Sequence, residues 1–304
     1  MERRGFIKRL GLGSAVLSGV GMLSLPSFAK EKVAGAPFKL DFAPHFGMFK
    51  QHAPGGIVDE LRFMADQGFR SLEDNGLLKR PLAEQELIGK TLDQLGMRMG
   101  VFVVDGGDNW KVSLTTGKQE FLDNFVATCK ASVETAKRVN AKWMTVVPGY
   151  FERNLQIGVQ TGNVIDALKR GAEIFEPHGM AMVLEPLSDN PDLFLRHADQ
   201  TYMICRAVGS PACKLLYDAY HMQRNEGNLI ATMEKTWSEI AYIQIGDNPG
   251  RKEPGTGEIN YGNVFQYIHK KGFTGILGME HGNALPGKEG ELALIDAYRK
   301  VDVK

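Results

Sequence analysis

The chain has 304 residues, of which 43% are apolar and 24% charged, a balance that supports a sizeable buried core and excludes a disordered or fibrous chain. Basic and acidic residues both number 36, for a formal net charge of +0, so neither a phosphate-backbone surface nor a nucleic-acid partner is expected. Cys129, Cys205 and Cys213 form no CxxC pair, which argues against a disulfide framework or a structural zinc site.

Residues 1–29 read as an address. Arg3, Arg4, Lys8 and Arg9 precede a modest apolar run over 10–25, diluted by four glycines, and Ser27-Phe28-Ala29 offers a small-x-small cleavage site. That is the layout of a secretory signal, and the paired arginines resemble a twin-arginine signal. The expected location is periplasmic, or otherwise exported by that route. An uncleaved anchor helix is the alternative. Without these residues the formal charge is −3, mildly acidic and suited to a cation. No later run reaches the ~18 apolar residues of a membrane span.

From residue 37 onward, short apolar runs alternate with longer stretches of helical period. The runs cover 38–43, 69–72, 98–104, 143–147, 181–184, 214–217, 241–245 and 275–279. The predicted helices cover 55–67, 83–95, 118–140, 163–178, 193–208, 228–238, 260–271 and 288–301. Gly68, Gly96, Gly179, Gly209 and Gly272 are expected helix C-caps. In 163–178, Val164, Leu168, Ala172 and Phe175 share one face while Asp166, Lys169, Arg170 and Glu173 take the other. Eight strand–helix units predict an α/β fold, a (β/α)8 TIM barrel forming one catalytic domain over 37–304. A doubly wound sheet is less suited, because no GxGxxG follows the first strand.

In such a barrel the C-terminal strand ends carry the chemistry. Glu185, Asp218, Gln244 and Glu280 each close an apolar run, at spacings of 33, 26 and 36 residues, close to one βα unit each. One oxygen-bearing side chain therefore stands at the same height on four successive strands. Near ε ≈ 20, two like charges ~4 Å apart repel by about 4 kcal/mol. A divalent cation relieves this, and an all-oxygen set favours Mg²⁺ or Mn²⁺ over zinc. Pairing with neighbouring Arg or Lys is the bland alternative. His221, three residues past Asp218, is expected in a loop over the mouth, able to donate to a substrate oxygen. Arg251, in the Gly/Pro-rich loop 247–258, is a candidate grip for an anionic or hydroxyl-rich ligand. Glu258 is expected to serve the next helix start. His45, Phe46 and Trp110 are candidate pocket walls. Met97, Met99, Met180 and Met182 are expected in the core.

The stretches 217–224 (YDAYHMQR) and 243–261 (IQIGDNPGRKEPGTGEINY), with Leu184-Glu185-Pro186 and the 275–280 run ending in Glu280, resemble the hydroxypyruvate isomerase family of xylose-isomerase-like TIM barrels. The resemblance spans about 38–300. It implies a metal held by Glu185, Asp218, Gln244 and Glu280, with the two glutamates as the acid/base pair. It also implies substrate contacts from His221 and Arg251. Two positions depart from that pattern. His281-Gly282 follows Glu280 where those isomerases tend to carry Tyr-Lys, and Leu187-Ser188-Asp189-Asn190 follows Pro186 where they tend to carry Ile-Asn-His.

The implied reaction is metal-dependent aldose–ketose isomerisation of an α-hydroxy carbonyl compound through a cis-enediolate, with hydroxypyruvate to tartronate semialdehyde as the type case. An exported sugar epimerase, or a lyase of 3-keto-glycosides using the same proton abstraction, is the alternative. A non-catalytic sugar-binding barrel and a zinc phosphodiesterase fit less well, the latter for want of ligand histidines. The expected partner is a small sugar or keto acid. Monomer and homo-oligomer both remain open.

Overall fold

A computed structural model describes residues 35–304; the expected leader at 1–29 lies outside them. The strands are β1 (Asp41–Ala43), β2 (Ser71–Leu72), β3 (Arg98–Met99), β4 (Phe102–Val103), β5 (Trp143–Val146), β6 (Ala181–Leu184), β7 (Cys213–Asp218), β8 (Ile240–Ile245) and β9 (Ile276–Met279). The helices are α1 (Ile57–Asp66), α2 (Leu82–Leu95), α3 (Gln119–Val139), α4 (Ile157–Phe175), α5 (Ala198–Val208), α6 (Ala219–Asn225), α7 (Leu229–Thr236), α8 (Tyr261–Lys270) and α9 (Gly287–Val301).

Seven strands form one parallel sheet in the order β1-β9-β8-β7-β6-β5-β4, so the first strand lies beside the last. The ring closes through β2, which pairs with β3 and reaches β1 by a hydrogen bond from the Glu73 N–H to the Pro44 carbonyl, 2.9 Å. This is the expected barrel. The third predicted strand is split at Gly100-Val101. A Cβ on Gly100 would stand 2.4 Å from the Tyr242 hydroxyl, so the backbone bends around that ring.

Alternation along the strands sorts the side chains. Ala43, Val101, Val183, Leu216, Tyr242 and Ile276 pack together inside the barrel. Their neighbours Phe42, Leu184, Leu215, Tyr217, Ile243, Ile245, Leu277 and Met279 face the helices in a larger core. Met97, Met99, Met180 and Met182 are buried as expected. The five expected glycine caps all have positive φ.

Three helix readings differ. The helix predicted from 163 begins at Ile157. The one predicted from 193 begins at Ala198, because Leu193 bridges to Tyr150 and the chain stays extended to His197. Residues 219–225, expected as a loop, form α6. Among the described residues no helix is long and apolar enough to cross a membrane, and the three cysteines are buried and free.

Candidate active site

The interior residues just named fix which positions reach the mouth. Two residues past Val183 stands Glu185; two past Leu216, Asp218; two past Tyr242, Gln244; four past Ile276, Glu280. All four belong to the inward set. Asp218 lies opposite Gln244 in the β7–β8 register, and Gln244 opposite Gly278 in β8–β9. One carboxylate oxygen each of Glu185, Asp218 and Glu280 and one ring nitrogen of His221 lie within 4.8 Å of one another. This is a candidate metal-binding group.

The four differ in how their oxygens are engaged. Asp218 caps α6: its Oδ1 accepts from the N–H groups of Tyr220 (2.7 Å) and His221 (3.1 Å). Its other oxygen Oδ2, Glu185 Oε1 and Gln244 Oε1 are buried without a hydrogen-bond partner, an arrangement a folded chain rarely leaves unexplained. Glu280 is partly exposed and already paired. Its Oε1 accepts from Asn75 Nδ2 at 2.9 Å and its Oε2 from Arg251 at 2.7 Å. Arg251 therefore pairs with Glu280 and stands 3.9 Å from Asp218 Oδ2, while three oxygens have no hydrogen-bond partner.

Burial, reinforced by Glu280 and Asp218, pushes the Glu185 carboxyl well above the usual range. Glu280 is raised to about 7, chiefly by burial, with Arg251 pulling down and Asp218 pushing up. Even beside Arg251, burial thus pushes the Glu185 and Glu280 carboxyls toward their protonated forms. The unfilled oxygens and the all-oxygen character of the four strand-end groups fit a hard divalent cation.

His221 lies not in a loop but in the first turn of α6, wholly buried. The Ser188 N–H donates to its Nδ1 at 3.2 Å and the Ser188 hydroxyl stands 2.8 Å away. Both ring nitrogens therefore face an N–H donor, Nδ1 that of Ser188 and Nε2 that of Arg251. Burial keeps the ring pKa low, against the pull of Asp218. Nε2 stands 3.8 Å from Glu185 and Asp218 and 3.2 Å from an Arg251 nitrogen. Arg251 thus braces the ring at the edge of the acidic cluster.

Arg251 is held on three sides. It donates to the Glu280 carboxylate and carbonyl and lies over the Tyr220 ring, 5.0 Å from its centre. Burial opposes its charge, yet Glu280, Asp218 and Glu185 hold it above its ordinary range. Its loop is organised by buried Asp247, whose carboxylate accepts from the N–H groups of Gly255 (2.8 Å), Gly257 (2.9 Å) and Ile259 (3.0 Å). Gly257 admits no side chain: a Cβ there would lie 1.9 Å from the Asn248 carbonyl oxygen. Glu258 does not serve the next helix. Its carboxylate accepts from the side chains of Gln223 and Asn248, and Asn260 caps α8. His45 turns its ring nitrogens to the carbonyls of Phe46 and His281. Trp110 is 54% exposed and closes nothing.

Sequence reasoning missed Glu73, Asn75 and Ser188. Glu73 closes the run 69–72 as Glu185 closes its own, so the rule applied to later strands would have found it. Asn75 lies two residues beyond. Ser188 had no signal beyond its place after Pro186.

The family described as xylose isomerase-like TIM barrel matches residues 61–300. The chain is similar to hydroxypyruvate isomerase of Escherichia coli (strain K12), 31% identical over 185 residues, which is 60% of this chain and 69% of that one. The chain belongs to the xylose isomerase-like TIM barrels, in the hydroxypyruvate isomerase family. A second relative, 2-oxo-tetronate isomerase of Cupriavidus necator, is 27% identical over 241 residues, 77% of this chain and 89% of that one. Among solved xylose isomerase-like barrels, 3-keto-D-glucoside 4-epimerase from E. coli superposes with a TM-score of 0.72 at 19% identity, covering 86% and 99% of the two chains. That likeness is one of fold.

Proposed function

We propose that the chain isomerises a small α-hydroxy keto acid of the hydroxypyruvate or 2-oxo-tetronate class at a site holding Mg²⁺ or Mn²⁺. Membership of the isomerase class follows from the family; substrate and chemistry are the proposal. The observation that carries it is the gathering of ligand atoms of Glu185, Asp218, His221 and Glu280 within 4.8 Å of one another, where Glu185 Oε1 and Asp218 Oδ2, like the neighbouring Gln244 Oε1, are buried without a hydrogen-bond partner.

In this reading Glu185, Asp218, Gln244 and Glu280 hold the cation. When bound, it polarises a chelated carbonyl and acidifies the adjacent C–H. Glu185 and Glu280, on β6 and β9, bracket the substrate; one takes the α-proton and one returns a proton to the neighbouring carbon. Arg251, braced against His221 and Glu280, would supply a cationic donor for the negative charge that develops on the substrate oxygens. Arg251 also suits the substrate carboxylate. Export by the twin-arginine route belongs to the proposal and rests on Arg3 and Arg4; loss of the protein from the periplasmic fraction in an R3K/R4K variant checks it.

The test is a substrate panel with the Mn²⁺-loaded protein in D₂O: hydroxypyruvate, 2-oxo-tetronate, free ketoses and 3-keto-glycosides, read by NMR. Deuterium entry and isomer formation on a keto acid are expected. Turnover confined to ketoses or 3-keto-glycosides replaces the substrate assignment, and no exchange on any of them removes the proton-transfer chemistry.

A further inference from the structure

Glu73 is 1% exposed and takes no part in the proton transfer above. It lies beneath the cluster, where its Oε1 accepts from Gln244 Nε2 at 2.8 Å and its Oε2 from the Tyr242 hydroxyl at 2.9 Å. The barrel is cut to hold it. A Cβ on Gly278 would sit 1.7 Å from Glu73 Oε2, and one on Gly100 would sit 2.4 Å from the Tyr242 hydroxyl. Three strands thus contribute to the seating of one carboxylate: β8 supplies both donors, while β9 and the 98–103 segment leave out the side chains that would collide.

The consequence falls on Gln244. A side-chain amide has a donor end and an acceptor end of nearly equal size, and a metal ligand must present the acceptor. Burial and Glu280 raise the Glu73 carboxyl; in the ionised form both its oxygens accept, from Gln244 and Tyr242, and a flipped Gln244 would set its oxygen against a carboxylate oxygen. The observed orientation leaves Gln244 Oε1 buried and unpartnered, on the side away from Glu73. We propose that Glu73 is a positioning residue that locks the Gln244 amide with its oxygen toward the cation site. The inference rests on the metal reading above and adds a residue to it.

The test is Mn²⁺ binding by the purified full chain, measured by calorimetry on folded protein. E73L removes the acceptor and is expected to weaken binding about tenfold or more, in the range of lost outer partners of metal ligands. E73Q keeps an acceptor oxygen toward Gln244, since the Tyr242 hydroxyl can accept from its amide, and is expected to stay within about threefold of the parent. In a Q244A background E73L is expected to cost nothing further. Three results overturn the inference: E73Q as damaging as E73L, which marks a charge effect; an equal cost of E73L in both backgrounds; or unaltered binding in E73L with only thermal stability lowered. Should E73L fail to fold, a crystal structure of the Mn²⁺-loaded parent decides, since Gln244 Nε2 turned from Glu73, or Gln244 remote from the ion, also overturns it. A parent chain that binds no divalent cation defeats the metal reading first and is told apart by that.

Discussion

Glu280 differs from the other acids of the site in being partly exposed, hydrogen-bonded by Asn75 and paired with Arg251. E280Q keeps the shape and the Asn75 bond while removing the proton acceptor. It is expected to retain the fold and lose at least about a hundredfold in kcat, measured by steady-state turnover beside circular dichroism; near-parental turnover removes Glu280 from the mechanism. The same variant reports on titration. Burial raises the Glu280 carboxyl from 4.5 to about 7, so between those values the metal-free folded state binds more protons than the unfolded one. Stability from this group is therefore present below pH 4.5 and lost as pH rises through about 7. His281, lowered to about 3 by burial, acts in the opposite sense up to its ordinary 6.5. The difference between variant and parent isolates Glu280: the Tm of metal-free E280Q is expected to gain on the parent as pH climbs from 4.5 to 7, and a flat difference contradicts the assignment. Residue parity was legible in the sequence. Glu280 falls on the inward set and His281 on the outward one, where its Nε2 meets the Tyr298 hydroxyl at 2.7 Å. Glu73 obeys the same parity. The orientation of the Gln244 amide was not legible, because it depends on a carboxylate 171 residues away.

At the scale of elements, the strand positions follow from apolar runs, since strands covered by helices must be apolar on both faces. Short and irregular pieces escape that rule. Helix α6 has seven residues and is started by the Asp218 cap rather than by periodicity; one oxygen of that carboxylate makes the cap and the other has no hydrogen-bond partner. The 247–259 loop announced its tight turns through glycine and proline. Its organiser, Asp247, looked like one more loop acid. D247A strands three N–H groups that a buried carboxylate now satisfies, at a cost of about 3 kcal/mol. A drop in Tm together with a rise in KM is expected, because Arg251 rides on that loop. A variant with parental KM would separate Arg251 placement from Asp247.

Over the whole molecule, the metal reading links cation binding to the fold. Glu185 and Glu280 follow different strands, β6 and β9, so an ion bound by both would favour only the closed barrel. Added Mn²⁺ or Mg²⁺ at 100 times its Kd is expected to stabilise by about 2.7 kcal/mol. At one fixed ion concentration the Tm shift should be larger at pH 8 than at pH 5, where protons compete for raised carboxyls and weaken binding. An equal shift at both values contradicts binding through those groups. The sequence by itself determined the eight-unit barrel and the four strand-end oxygens, because helical and strand periodicities and the repeat of one βα unit are local properties of a chain. Only the tertiary structure decided which oxygens lack a hydrogen-bond partner, which one Arg251 occupies, which donors face the two nitrogens of His221 and what holds Gln244. Each of these is settled by contact between side chains far apart in the polypeptide, at distances that exist only once the ring has closed.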